Sequence, residues 1–174
     1  MRLRTAARVA LVPVALALAL GACARPGTAA TVNGVRITDA QLAAVASDYA
    51  RLNLPADAPT VLSDVVATVP LMEAGERLGF GASREQAVAL LDQTATANGV
   101  EPFEYSEPMI AIAQRVAMLS SIEDEQTQAE LVSAFGEADI TINPRFGTFD
   151  ATTGLGPASW EWIIGSGSDA PAAG

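Results

Sequence analysis

The chain is 174 residues long, half of them apolar, and its ten cationic side chains, all Arg, face twenty acidic ones for a formal charge of −10 at pH 7. With one Cys and no His, the composition excludes Ser-His-Asp and Cys-His catalysis, a His- or Cys-based zinc site and an intrachain disulfide. The acidic balance argues against nucleic acid as a partner, because its binders need clustered cations to displace counterions.

Arg2, Arg4 and Arg8 make a basic start, and residues 9–20 are apolar, interrupted only by Pro13. That run is shorter than the roughly 18–20 residues that span a bilayer, so it reads as the hydrophobic region of a signal peptide. It ends in Leu20-Gly21-Ala22-Cys23, which resembles a bacterial lipobox. The small residues at 21 and 22 let a peptidase approach the backbone, and the Cys23 thiol accepts a diacylglyceryl group. A lone Cys elsewhere in an exported chain is an unpaired thiol; here it is the anchor.

The reading is therefore a lipoprotein signal peptide over 1–22 and a lipidated Cys23 with a small-residue tether over 23–30. Processing leaves seven Arg against twenty acids, a net charge of −13. Two acyl chains, at about 0.8 kcal/mol per buried CH₂, hold the protein stably, while its negative charge keeps the folded part off an anionic leaflet. The expected location is the outer, extracytoplasmic face of the cell membrane.

One domain is expected over 31–164, followed by a disordered tail over 165–174 that lacks apolar anchors. Val32, Val35 and Ile37 alternate around Asn33-Gly34, the pattern of a strand or tight hairpin. Thr38 with Gln41 makes a capping box for a helix whose apolar stripe is Leu42, Val45, Tyr49 and Leu52, ended by Pro55. A second helix is expected over 60–78, on Val61, Leu62, Val65, Val66, Val69 and Met72, kinked or broken at Pro70. Ser83 with Gln86 opens a third, which stops at Asn98-Gly99.

Ser106 starts a fourth, with Ile112, Val116, Leu119 and Ile122 expected inside, and a fifth is expected over 123–135. Ile140 and Ile142 mark a strand, with Pro144 setting a turn or an edge after it. A last run over 159–164 puts Trp160 and Trp162 on one side if extended. The fold class is mainly α: about five helices in a bundle, closed by short N- and C-terminal strands that pair with each other.

Three segments carry a family resemblance. Val32-Asn33-Gly34-Val35-Arg36-Ile37-Thr38 is similar to a V-N-G-x-x-I-[ST] entry segment. Glu73-Ala74-Gly75-Glu76-Arg77-Leu78-Gly79-Phe80 is similar to a helix closing in A-x-x-L-G-[IV], with Ser83-Arg84-Glu85 opening the next. Ile142-Asn143-Pro144-Arg145-Phe146-Gly147-Thr148-Phe149 resembles a V-N-P-R-[YF]-G-x-[FW] strand.

In this order behind a lipobox, they resemble the N-terminal domain of SurA-like extracytoplasmic chaperones and foldases, as found in lipoproteins of high-GC Gram-positive bacteria. The resemblance implies that fold and a polypeptide-binding role. It does not extend to the family's prolyl-isomerase domain of roughly ninety residues, for which no stretch has the length to spare. The His residues typical of that active site have no counterpart either. The expectation is a non-enzymatic, cofactor-free module that binds unfolded or exported polypeptides as a chaperone, or alternatively an adaptor holding one envelope partner.

Candidate polypeptide-binding residues are Met72, Met109 and Met118, with Tyr49, Phe80 and Phe103, because Met and aromatic side chains adapt to varied partners. Core filling is the plainer and favoured reading of each of these residues. Trp160 and Trp162 are candidates too, set against packing back on the bundle. In Asn143-Pro144-Arg145-Phe146-Gly147, Arg145 either offers a forked donor to a client or pairs with the acidic helices. Glu101, Glu104 and Glu107, and Glu123-Asp124-Glu125, match no calcium loop and read as helix starts and solvated faces.

Overall fold

The computed structural model describes residues 26–150 and 154–156. The signal-peptide region, Cys23, the 159–164 run with Trp160 and Trp162, and the 165–174 tail lie outside the described residues.

Asn33 and Gly34 both take positive φ, 49° and 80°, as a two-residue hairpin turn requires. They join β1 (Thr28–Val32) to β2 (Val35–Thr38), with Val32 opposite Val35. On its other side β1 pairs antiparallel with β3 (Ile140–Ile142), with Ala30 opposite Ile142, giving the order β2-β1-β3. The two ends of the domain thus share one sheet, as the alternation at both ends suggests. Strand β1 starts inside the stretch expected to be tether. Thr28, Ala29 and Ala30 are buried, because a central strand pressed under helices favours small side chains, the same composition a linker has.

Five helices follow: α1 (Asp39–Arg51), α2 (Ala58–Arg77), α3 (Arg84–Ala97), α4 (Glu107–Ser120) and α5 (Glu125–Gly136). The capping boxes of α1 and α3 form as expected, with Thr38 accepting from the Gln41 amide and Ser83 from the Gln86 amide. Helix α2 begins earlier than the apolar pattern suggests. Asp57 is its N-cap, accepting from the Thr60 amide at 3.0 Å, and that bond holds the Asp57 carboxyl below the usual carboxylate range. The expected break at Pro70 does not occur: α2 is continuous through it. The proline ring is fully buried, and that burial offsets the one amide bond it cannot make.

Helix α4 is rotated from the expected face. Val116 and Leu119 are exposed, while Met109, Ile110, Ile112, Ala113, Arg115 and Met118 are buried. The reason lies on α2, where Gly75 leaves a slot that Met118 fills; a Cβ at Gly75 would sit 2.1 Å from the Met118 sulfur. Helix α5 starts at Glu125 with Asp124 as its cap, and buries only Leu131, leaving Val132 72% exposed.

Side chains from the sheet, α1, the first half of α2, α3 and α4 form the main core; Ala74, Met118, Ile122 and Leu131 form a smaller one beneath α5. After β3, Pro144–Phe146 makes a single 3₁₀ turn. Thr148–Asp150 (β4) and Gly154–Gly156 (β5) then pair as a hairpin, with Thr148 opposite Gly156.

Candidate functional site

The 3₁₀ turn is built by its own residues. The Asn143 amide donates to Ala29 O at 2.8 Å and its side-chain Nδ2 to Thr28 O at 3.0 Å, which pins the turn to β1. Asn143 Oδ1 then accepts from the Arg145 amide, Pro144 opens the turn and Gly147, at φ 126°, closes it. This delivers two side chains to the start of α1. The Arg145 guanidinium lies 4.6 Å from the Phe146 ring centre and pairs with Asp39 in the first turn of α1. Of the two roles expected for Arg145, the structure holds the pairing with an acidic helix start.

Phe146 forms one wall of a shallow groove of about 240 Å³. The other walls are Leu42, Ala43 and Ala46 of α1, and Ala56, Ala58 and Val61 at the start of α2, with Asp39 at the rim. The lining is apolar, and the alanines keep it open. An extended segment with one or two large apolar side chains fits such a slot, with the Asp39–Arg145 pair able to meet backbone or charge at one end.

A second hollow, about 520 Å³ and wide open, is lined by Ala44, Ser47, Asp48, Arg51, Glu104, Tyr105 and Ser106. Its polar groups serve the fold. Asp48 accepts the Ser106 amide at 2.9 Å, Arg51 lies over the Phe103 ring, and the Tyr105 hydroxyl donates to Asp92. Burial, then that bond to Asp92, pushes the Tyr105 hydroxyl up.

A part-buried polar cluster also joins elements. Arg115 of α4 donates to Asp64 Oδ1 at 2.7 Å and the Tyr49 hydroxyl to Asp64 Oδ2 at 2.7 Å, so α1, α2 and α4 meet at one carboxylate. Burial, then the bond to Asp64, pushes the Tyr49 hydroxyl well above the usual tyrosine range.

The expected binding residues fall differently. Met109 and Met118 are 3% and 0% exposed and belong to the two cores; Met72 is half-buried against the smaller one. Among the described residues, the methionines therefore offer no open adaptable surface; Tyr49 is core, while Phe80 and Phe103 are half-buried against the cores. Trp160 and Trp162 lie outside the described residues. Of Asn143, Pro144, Arg145, Phe146 and Gly147, Phe146 lines the groove and Arg145 pairs with Asp39 beside it, while Asn143, Pro144 and Gly147 shape the turn that carries them.

The acidic clusters disperse: Glu107 forms a forked pair with Arg84 at 2.6 and 2.8 Å, which lowers its carboxyl, and Asp124 caps α5. No group of three metal-ligating side chains occurs among the described residues. Sequence reasoning missed the groove alanines. The visible signal was Ala43 and Ala46 at helical spacing beside Leu42, which reads equally as ordinary helix surface.

No family model, no curated protein and no solved structure matches the chain.

Proposed function

We propose that this chain is a lipid-anchored, extracytoplasmic polypeptide-binding module of the SurA N-domain type, acting without isomerase activity. The observation that carries the reading is the apolar groove between α1 and α2, walled by Phe146 and rimmed by the Asp39–Arg145 pair. One of its walls, Phe146, comes from the N-P-R-F-G turn, one of the motifs on which the resemblance rests. The leader ending in Cys23 supports placement at the outer face of the membrane, where exported chains emerge with apolar segments not yet buried. A short extended stretch of such a chain is the ligand the groove fits.

A second reading has its own support. The groove is small and lined by stiff alanines, and two of the three mature-chain methionines are buried. Promiscuous surfaces use flexible side chains to repack, so a rigid slot favours one defined partner and an adaptor role.

A photo-crosslinking residue in place of Ala43, in living cells, separates these readings. Adducts with many exported polypeptides are expected for the chaperone, and one stoichiometric adduct for the adaptor. A yield at Ala43 no higher than at the exposed control position Glu130 overturns both.

A further inference from the structure

We infer that the groove selects cationic polypeptide: an extended segment with one or two large apolar side chains flanked by Lys or Arg. The inference rests on the polypeptide-binding reading of the same groove and names the class of segment bound.

Charge acts at two scales. Residues 26–150 carry six Arg against eighteen Asp and Glu, a formal charge of 6 − 18 = −12. Among the described residues, three of those six cations are held in ion pairs: Arg84 with Glu107, Arg115 with Asp64 and Arg145 with Asp39. The field around the domain is therefore negative, which draws cationic chains in and repels acidic ones. Salt confines each exposed charge to about 8 Å at physiological ionic strength, so the rim of the groove decides what binds.

That rim favours a cation. Asp39 lines the groove with its side chain 39% exposed, and the bond from Arg145 goes to Oδ1, which leaves Oδ2 for a donor from the ligand. Arg145 itself is engaged twice, by Asp39 and by the face of the Phe146 ring, so a client carboxylate would have to displace Asp39 to reach it. Asp57 stands between Ala56 and Ala58, both of which line the groove. It is exposed, and the amide and hydroxyl of Thr60 hold its carboxyl below the usual range, so it stays ionised.

The two helix starts offer an anion little in return. The Asp39 amide donates to Gly27 O, the Gln41 amide to Thr38 Oγ1 and the Thr60 amide to Asp57 Oδ1. Amides in these positions attract anions when they are open, and here they are satisfied within the chain. The remaining lining is apolar, with Leu42, Val61 and Phe146 to meet large side chains and alanines that let a backbone approach.

The test uses dye-labelled peptides with one apolar core and three flanks: GKFVFKG, GQFVFQG and GEFVFEG, blocked at both ends. Fluorescence anisotropy measures their binding to the full lipidated chain in uncharged phosphatidylcholine vesicles, with empty vesicles as the blank. The Lys peptide is expected to bind roughly fivefold more tightly than the Gln peptide, and the Gln peptide more tightly than the Glu peptide. High salt should erase most of that order. Asn caps a helix as well as Asp, so Asp57→Asn removes the charge and keeps the fold. It should cut the Lys-over-Gln ratio about twofold with an unchanged circular dichroism melt. Ala43→Phe, which fills the slot from its exposed wall, should abolish binding of all three peptides.

Equal affinity for the three peptides, lost in Ala43→Phe, overturns the inference and leaves the polypeptide-binding reading standing. Tightest binding of the Glu peptide also overturns it and makes Arg145 the recognition group. A Lys preference untouched by both Asp57→Asn and Ala43→Phe places the attraction elsewhere on the acidic surface, which overturns it as well. No binding of any peptide above the blank overturns the inference and the polypeptide-binding reading together.

Discussion

Arg115 sits 8% exposed in the middle of an apolar helix face because Asp64 and the Asp64 carbonyl accept two of its donors, at 2.7 and 3.3 Å. Its Nε finds no partner, so the cluster is held at some desolvation cost. Asp64 is about one-third exposed, which limits what the pair contributes. Replacing Arg115 by Met leaves the Asp64 charge to Tyr49 and partial solvent alone. The expected loss is about 2–3 kcal/mol, below the range for a fully buried pair, and chemical denaturation measures it.

Tyr49 gives the same cluster a pH dependence. Burial and Asp64 raise its hydroxyl above the unfolded value of about 10, so the folded state holds that proton more tightly than the unfolded state. The stabilisation is complete below that pH and is lost as pH climbs above it. Melting temperatures taken across the alkaline range should fall in the native chain and fall less steeply in Tyr49→Phe. Equal slopes in the two proteins refute the assignment.

At the scale of elements, the helix starts are legible because capping is local. Thr38, Ser83 and Asp57 each accept an amide three residues on, and that geometry needs nothing beyond one turn of chain. Ser106 looks the same in sequence but makes no cap bond, and its hydroxyl is shielded without a partner, while Asp48 of α1 takes its amide. The two serines should therefore respond oppositely to truncation. Ser83→Ala is expected to cost about 1 kcal/mol, whereas Ser106→Ala is expected to stay within about 0.5 kcal/mol of the native chain. Urea midpoints decide between this and equal losses. Helix faces were harder to read than helix starts. On α4 two stripes compete, and the choice falls to Met118 entering the slot at Gly75, a residue some forty positions earlier on another helix.

For the whole molecule, the sheet that joins residues 28–32 to 140–142 makes the domain a closed unit suspended from its N-terminal side. Strand β1 starts at Thr28, so on the lipid-anchor reading proposed above fewer residues separate Cys23 from the sheet than composition alone suggests. No helix of the described residues is long and apolar enough to cross a bilayer, and on the reading proposed above the anchor is the lipid on Cys23. Cys23→Ala should abolish labelling by a radioactive fatty acid and release the protein from the membrane fraction on washing. A variant that still sediments with membranes overturns the lipobox reading.

The sequence by itself determined the mainly helical bundle, the Asn33-Gly34 hairpin, two capping boxes and the turn at Pro144, because each depends on dihedral preferences and bonds within a few residues. It also supported the expectation that the two ends pair, through the alternation of Val32 with Ile37 and of Ile140 with Ile142. Only the tertiary structure decided that Thr28–Ala30 are buried strand rather than tether, that Met109 and Met118 are core rather than surface, and that Arg115 is buried. Each of those outcomes turns on a partner far away in the chain: Ile142 for Ala30, Gly75 for Met118, Asp64 for Arg115. The groove is of the same kind. Ala43, Ala46, Ala58 and Phe146 are unremarkable one at a time, and they become a site only because strand pairing brings the Pro144–Phe146 turn onto the first two helices.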